Sequence, residues 1–235
     1  MSEAVKSRPP VNGGPTKDRD EKRRAFARRR PTRRWPPVNG GLVLREAWME
    51  LPERRTDELR KGRVSLAGAR YFVTVCARRP ERRLVHTPIA DAVSAVLARI
   101  EKDGDATFMA STIMPDHLHL LAILSERLSL SRIVGKLKAL TEPALRGGDL
   151  RWQGNFFEHR LRPEDHTSDY ARYIFLNPYR AHLIRRGEEW PWWKRSPAHD
   201  LDFLQMLEHG RFPPQVWLEM DDTSLGVDPV AIGND

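Results

Sequence analysis

His117 and His119 bracket a single apolar residue in the run His117-Leu118-His119-Leu120-Leu121-Ala122-Ile123-Leu124. In an extended strand, side chains two apart share a face, so both imidazoles address one point while Leu118 and Leu120 turn to the other side. Two neutral imidazoles so placed suit one metal ion; a packed or solvated pair is the plainer alternative. A second constellation is Tyr173-Ile174-Phe175-Leu176-Asn177-Pro178. On a helix, Tyr173 and Asn177 are four apart and lie on adjacent turns of one face, which makes a phenol and an amide neighbours. The plainer alternative is a tyrosine packed with its hydroxyl at the rim and an Asn-Pro helix end. Taken together, two imidazoles and an amide oxygen supply three ligands to a divalent ion and leave positions for substrate oxygens. Beside a phosphate whose charge is so withdrawn, a phenol becomes a usable nucleophile despite an ordinary pKa of about 10.

These groups need a sheet and a helix to carry them. Tyr71–Cys76 is aromatic and β-branched and predicts a strand; Thr87-Pro88 opens a helix with Ile89, Val93, Val96, Leu97 and Ile100 at helical spacing, ended by Gly104. Residues 107–114 and 117–124 read as two strands joined at Pro115-Asp116, an antiparallel hairpin. Leu130, Ile133, Val134, Leu137, Leu140 and Leu145 form a second helical stripe over 129–145. The stretch 152–155 reads as loop, 156–161 as a strand, and 167–177 as a third helix stopped by Pro178. The order β, α, β, β, α, β, α predicts an α+β fold, an antiparallel sheet of four to five strands with helices packed on it.

Charge is distributed unevenly. Residues 1–41 carry 12 basic and 4 acidic side chains, 42–195 carry 27 and 20, and 196–235 carry 1 and 8. A basic arm and a basic middle favour polyanions, because each Lys or Arg beside a phosphate releases a condensed counterion. The arm, 1–41, repeats Pro-Pro-Val-Asn-Gly-Gly at 9–14 and 36–41, holds few large apolar residues and reads as disordered. A lead-in segment, 42–67, has one helical stretch near 54–61. The main folded domain spans 68–197, and an acidic C-terminal extension follows over 198–235. No apolar run approaches the roughly 18 residues of a membrane span and the first ten residues offer no signal segment, so the expectation is a cytoplasmic, nucleoid-associated protein with no membrane partner. The single cysteine, Cys76, excludes an internal disulfide and reads as a small buried hydrophobe.

The ordered set Met114-Pro115-Asp116-His117-Leu118-His119-Leu120-Leu121, Trp152-Gln153, Phe157-Glu158-His159 and Tyr173-Ile174-Phe175-Leu176-Asn177-Pro178-Tyr179-Arg180-Ala181 resembles the REP-associated tyrosine transposases, IS200-like members of the HUH endonuclease superfamily. Gly68–Thr74 and Lys138 with Thr141 fit the same pattern. The resemblance implies a ferredoxin-like HUH fold and a metal-dependent single-stranded DNA endonuclease and strand-transferase that cuts near repeat hairpins. It places His117, His119 and Asn177 on magnesium or manganese and makes Tyr173 the nucleophile, which would leave a 5′-phosphotyrosine and a free 3′-hydroxyl. Single-stranded or hairpin DNA is the implied partner, with the oligomeric state open between monomer and homodimer.

This chain departs from the family in carrying Asp116 where Asn is common and Tyr179 where a small aliphatic residue is common. Tyr170 and Tyr179 compete with Tyr173 as nucleophile, and the spacing to Asn177 favours Tyr173. Lys136, Lys138, Arg151, Trp152, Arg160, Arg162, Arg172 and Arg180 are the candidate DNA-binding residues, each weighed against ordinary solvated surface or core packing. Trp190, Trp192 and Trp193 either stack on bases or seal the core's edge. The competing function is a DNA-binding protein of the same fold that does not cut. A hydrolase using the histidines to activate water would call for a barrel of repeated βα units, which the order of elements lacks.

Overall fold

The computed structural model describes residues 65–78 and 83–227. The basic arm 1–41 and the helical stretch near 54–61 lie outside the described residues. Six strands and four α-helices follow in the order β1 (Arg70–Arg78), α1 (Thr87–Lys102), β2 (Ala106–Ile113), β3 (His117–Leu124), α2 (Leu130–Gly147), β4 (Arg151–Trp152), β5 (Phe157–Arg160), α3 (Thr167–Arg180), β6 (Trp193–Arg195), a 3-10 turn (Asp202–Met206) and α4 (Gln215–Glu219). The fold is α+β, as the alternation of periods predicts.

Every strand pairing is antiparallel. β3 lies between β1 and β2, β6 extends the β2 edge, and the other side of β1 carries β5 along Tyr71–Thr74 and β4 at Ala77 and Arg78. β1 and β2 are thus parallel strands split by β3, and β3 and β5 are split by β1, so two βαβ units interleave. Both crossover helices, α1 and α2, cover the same face.

Strand alternation explains the two cores. Tyr71, Val73, Val75 and Ala77 of β1 and Leu118, Leu120, Ala122 and Leu124 of β3 pack under Ile89, Val93, Leu97 and Ile100 of α1 and Ile133, Val134, Leu137 and Leu145 of α2. Phe72 and Leu121 turn to the opposite face, where α3 lies across the sheet. The two histidines share that second face with them, because they have the same parity.

β4 and β6 go beyond the four to five strands expected. β4 takes in Trp152, read as loop, since a two-residue pairing carries no periodicity to detect. α3 runs past Pro178 to Arg180. A helical proline forfeits one backbone bond and crowds the preceding turn; here the turn beyond it buries Tyr179, leaving only 4% of it exposed. Pro143 lies within α2 in the same way, two residues before the buried Leu145.

α3 is apolar around most of its circumference, with Tyr170, Ala171, Tyr173, Ile174, Phe175, Leu176 and Tyr179 all buried. A helix of that kind needs cover on both sides. The sheet supplies one side and the acidic C-terminal segment the other: Leu201, Phe203, Trp217, Leu225 and Val227 bury themselves with it. Arg172 donates to the Leu225 carbonyl at 2.6 Å and lies over the Trp217 ring, while Arg180 pairs with Asp222. Gly226 is backbone-positive at φ 80°, and a Cβ there would collide with the Asp169 carboxylate. Phe203, 1% exposed, touches the rings of Phe175 and Trp217. Phe203→Ala is therefore expected to cost about 3–5 kcal/mol in urea unfolding, the range for a fully buried aromatic; a loss under about 1 kcal/mol would mean the segment is not part of the folded unit. No described helix is long and apolar enough to cross a membrane.

Candidate active site

His117 and His119 open β3 directly after the Pro115-Asp116 turn, and their side chains converge. Nε2 of one lies 2.9 Å from Nε2 of the other, with the rings edge to face at 4.5 Å between centroids. The outer nitrogens are held by the surroundings. His117 Nδ1 is 2.7 Å from the Asp116 carboxylate, and His119 Nδ1 is 2.9 Å from the Thr74 hydroxyl. A carboxylate accepts only, so His117 donates from Nδ1 and turns its Nε2 toward His119. Thr74 stands opposite His119 in the β1–β3 register, a placement that strand pairing sets and that sequence order does not show.

His119 is 3% exposed, and its pKa is held well below the ordinary imidazole value. Burial is the main cause and the neighbouring His117 the second, with the hydrogen bond to Asn177 working in the opposite sense. His119 is thus neutral near pH 7. The unfolded chain takes up a proton at about pH 6.5 that the folded chain refuses. With metals chelated, the stability tied to this residue is complete above that pH and falls as the pH is lowered, by at most about 1.4 kcal/mol per unit. Urea midpoints measured from pH 7.5 down to 5 are expected to fall, and to fall less steeply in His119→Gln.

α3 brings the other two groups. The Tyr173 ring lies edge-on to His119 at 5.8 Å and to Phe72 at 5.9 Å. Asn177, one turn later, donates its amide N–H to the Tyr173 carbonyl at 3.0 Å, which directs the amide oxygen toward His119. The four residues singled out from sequence therefore meet, two from β3 and two from α3. The Tyr173 ring is 6% exposed, so the phenol is sheltered in this arrangement.

The other tyrosines are placed differently. Tyr179 donates to the Glu188 carbonyl at 2.7 Å, and burial pushes its pKa up to about 12, with Glu189 and Glu188 adding to the effect. Tyr170, on α3 one turn before Tyr173, is fully buried and stacks on His159 with ring centroids 5.7 Å apart. Burial pushes the Cys76 thiol up to about 11, which keeps it protonated and unreactive.

The candidate DNA-binding residues separate into two groups. Lys136 is clamped by Asp103 and Asp105, both at 2.6 Å, at the end of the sheet remote from His117. Lys138 donates to the carbonyls of Gln153 and Asn155, tying α2 to the loop after β4. Trp152 is buried and donates its indole N–H to Thr141 at 2.8 Å. Arg172 and Arg180 hold the C-terminal segment, as described above. In these five the charge or ring is engaged within the fold, a fate that composition does not reveal. Arg151, Arg160 and Arg162 are exposed, although Arg160 pairs with Tyr71 and so sits on the face away from the histidines. Trp190 donates to the Ile113 carbonyl and Trp193 packs on Phe175, sealing the β2–β6 edge.

The residues fit a metal ion. Ligands about 2.1 Å from an octahedral ion lie about 3 Å from their cis neighbours, which matches the 2.9 Å between the two Nε2 atoms. The described residues contain no group of three or more His, Cys, Asp or Glu that could hold a metal ion, and the Asn177 amide is a further polar group beside the two imidazoles. Outer hydrogen bonds from Asp116 and Thr74 are the arrangement that orients metal-binding imidazoles. Thr74→Val should lower manganese affinity about 10- to 100-fold in a calorimetric titration while the chain stays folded; unchanged affinity would show that the hydroxyl orients nothing.

Residues 68–161 match the family model described as "Transposase IS200 like". Over this segment the chain is similar to the IS200-like transposases. The match covers both histidines and ends ahead of α3, so Tyr173 and Asn177 rest on the geometry. The chain is also 22% identical over 131 residues to the REP-associated tyrosine transposase of Escherichia coli (strain K12), across 55% of this chain and 78% of that one. Among solved structures, a REP-associated tyrosine transposase bound to a REP hairpin superposes on the domain with a TM-score of 0.50 at 23% identity, covering 56% of this chain and 79% of that one. That likeness establishes a shared α+β fold.

Proposed function

We propose that this protein is a metal-dependent single-stranded DNA endonuclease and strand-transferase that cuts near repeat hairpins. The observation that carries the reading is the convergence of the His117 and His119 Nε2 atoms, with both Nδ1 atoms occupied, beside the Tyr173 ring. His117, His119 and the Asn177 amide oxygen would hold a magnesium or manganese ion, which when bound supplies a Lewis acid that draws charge from a phosphate. Tyr173 is the nucleophile. Its oxygen bonds to phosphorus, the bond from phosphorus to the 3′-oxygen breaks, and the departing oxygen takes a proton to become a 3′-hydroxyl. The 5′-phosphate stays on the tyrosine, and because one phosphodiester has replaced another, an incoming 3′-hydroxyl can reverse the step without ATP. A flexible single strand can bring its phosphate to this face of the sheet without a duplex being opened.

The sheltered Tyr173 favours a second reading, a DNA-binding protein of the same fold that does not cut. Attack requires the ring to turn out of its contact with Phe72 when the strand binds. The deciding experiment mixes the full chain with a 3′-labelled hairpin oligonucleotide bearing a single-stranded flank. Under denaturing electrophoresis, label joined to protein with manganese and absent with chelator supports the nuclease. Binding without any adduct, across magnesium and manganese, supports the binder.

A further inference from the structure

Arg78 and Arg151 stand directly opposite each other where β1 pairs with β4. Directly opposed residues in an antiparallel pair have Cβ atoms about 4.5–5.5 Å apart, and like charges so placed are destabilising. Both are exposed, and neither guanidinium forms an ion pair with a carboxylate among the described residues. Their neighbours fix the face they occupy. Ala77 and Trp152, the adjacent opposed pair, point into the core beneath α1 and α2, so Arg78 and Arg151 point to the histidine side. Cys76 is opposite His117 in the register, which puts Arg78 two residues, about 6.6 Å along β1, beyond the position facing His117, with Arg151 beside it on β4 across β1 from β3. The pairing is also locked in place: Gln153 donates its backbone N–H to the Cys76 carbonyl, and Ala77 donates to the Asp116 carbonyl.

Two exposed arginines directly opposed across a strand pair repel one another, an anion between them would relieve that repulsion, and planar guanidinium forks match phosphate oxygens. We propose that Arg78 and Arg151 together grip one backbone phosphate of the DNA strand, adjacent to the phosphate presented to Tyr173, and so set which linkage is cut. This rests on the single-strand nuclease reading of the site and adds a residue, Arg78, that sequence gave no reason to select.

The test measures binding of the full chain to a fluorescent oligothymidylate in chelator, where no cutting occurs, over a range of salt. Arg78→Gln, Arg151→Gln and the double variant are compared with the unaltered chain. Because the two side chains share one phosphate, the log–log salt slope is expected to fall by about 0.7 in the double variant, no more than for a single contact. The melting temperature without DNA is expected to equal or exceed that of the unaltered chain, since a repulsion has been removed. An unchanged slope, a fall near 1.4 that signals two separate phosphates, or a lowered melting temperature would overturn the shared grip while leaving the nuclease reading intact. Failure of the unaltered chain to bind any single strand would overturn both.

Discussion

Tyr173→Phe is expected to abolish the protein–DNA adduct and to lower strand cleavage by at least about 10³-fold, while DNA affinity in chelator stays within about twofold of the unaltered chain. The magnitude follows from the role: removing a covalent nucleophile removes the reaction path, and single replacements of that kind cost orders of magnitude in rate. The substitution suits this position because it deletes one oxygen and keeps the ring. That ring fills space against Phe72 and His119, so the core under α3 is preserved and a lost adduct cannot be charged to unfolding. The measurement uses a 3′-labelled strand, because the 5′-phosphate of the downstream fragment is the end that becomes joined to protein. An adduct of undiminished yield in Tyr173→Phe would transfer the role to another residue. Tyr179 is a poor substitute, its hydroxyl committed to the Glu188 carbonyl and its pKa at about 12.

His117→Ala is expected to remove the response to metal as a whole. In the unaltered chain, manganese at about 100 times its dissociation constant should add about 2.7 kcal/mol of stability, visible as a rise in melting temperature. In the variant that rise should disappear and cleavage should fall by at least about 10²-fold. His117 is the better choice of the two histidines for this measurement. Its side chain is 23% exposed, so its loss leaves no closed cavity, whereas His119 sits between Thr74 and the Tyr173 ring in the interior. The melting temperature in chelator should therefore be nearly that of the unaltered chain. A manganese-dependent rise of full size in His117→Ala would place the metal elsewhere and remove the basis for the site.

The proposed site draws its residues from two elements of different period, and this governs how it would respond to change. Asp116 and Thr74 hold the outer nitrogens from the turn and from the neighbouring strand, so the imidazoles are positioned by the sheet alone. Tyr173 and Asn177 are positioned by α3, which is buried between the sheet and the C-terminal segment. Loss of that segment would expose the apolar outer side of α3 and loosen Tyr173 before it disturbed the histidines.

The sequence by itself determined the parts of this protein whose cause is local. Alternation of period two put His117 and His119 on one side of β3, helical spacing put Tyr173 and Asn177 on adjacent turns, and the stripes of α1 and α2 marked their core faces, because each depends only on neighbours along the chain. Tertiary structure alone decided what depends on pairing between distant segments. The register of β1 against β3 chose Thr74 as the partner of His119, and the two-residue strand β4 set Arg151 against Arg78. The packing of residues 201–227 on α3 turned Arg172 and Arg180 inward to hold the fold, and Lys136 and Trp152 found partners that no spacing rule connects to them. A side chain's direction follows from backbone geometry a few residues away, but whether its charge meets solvent, a carboxylate or a carbonyl depends on which remote strand or turn arrives beside it.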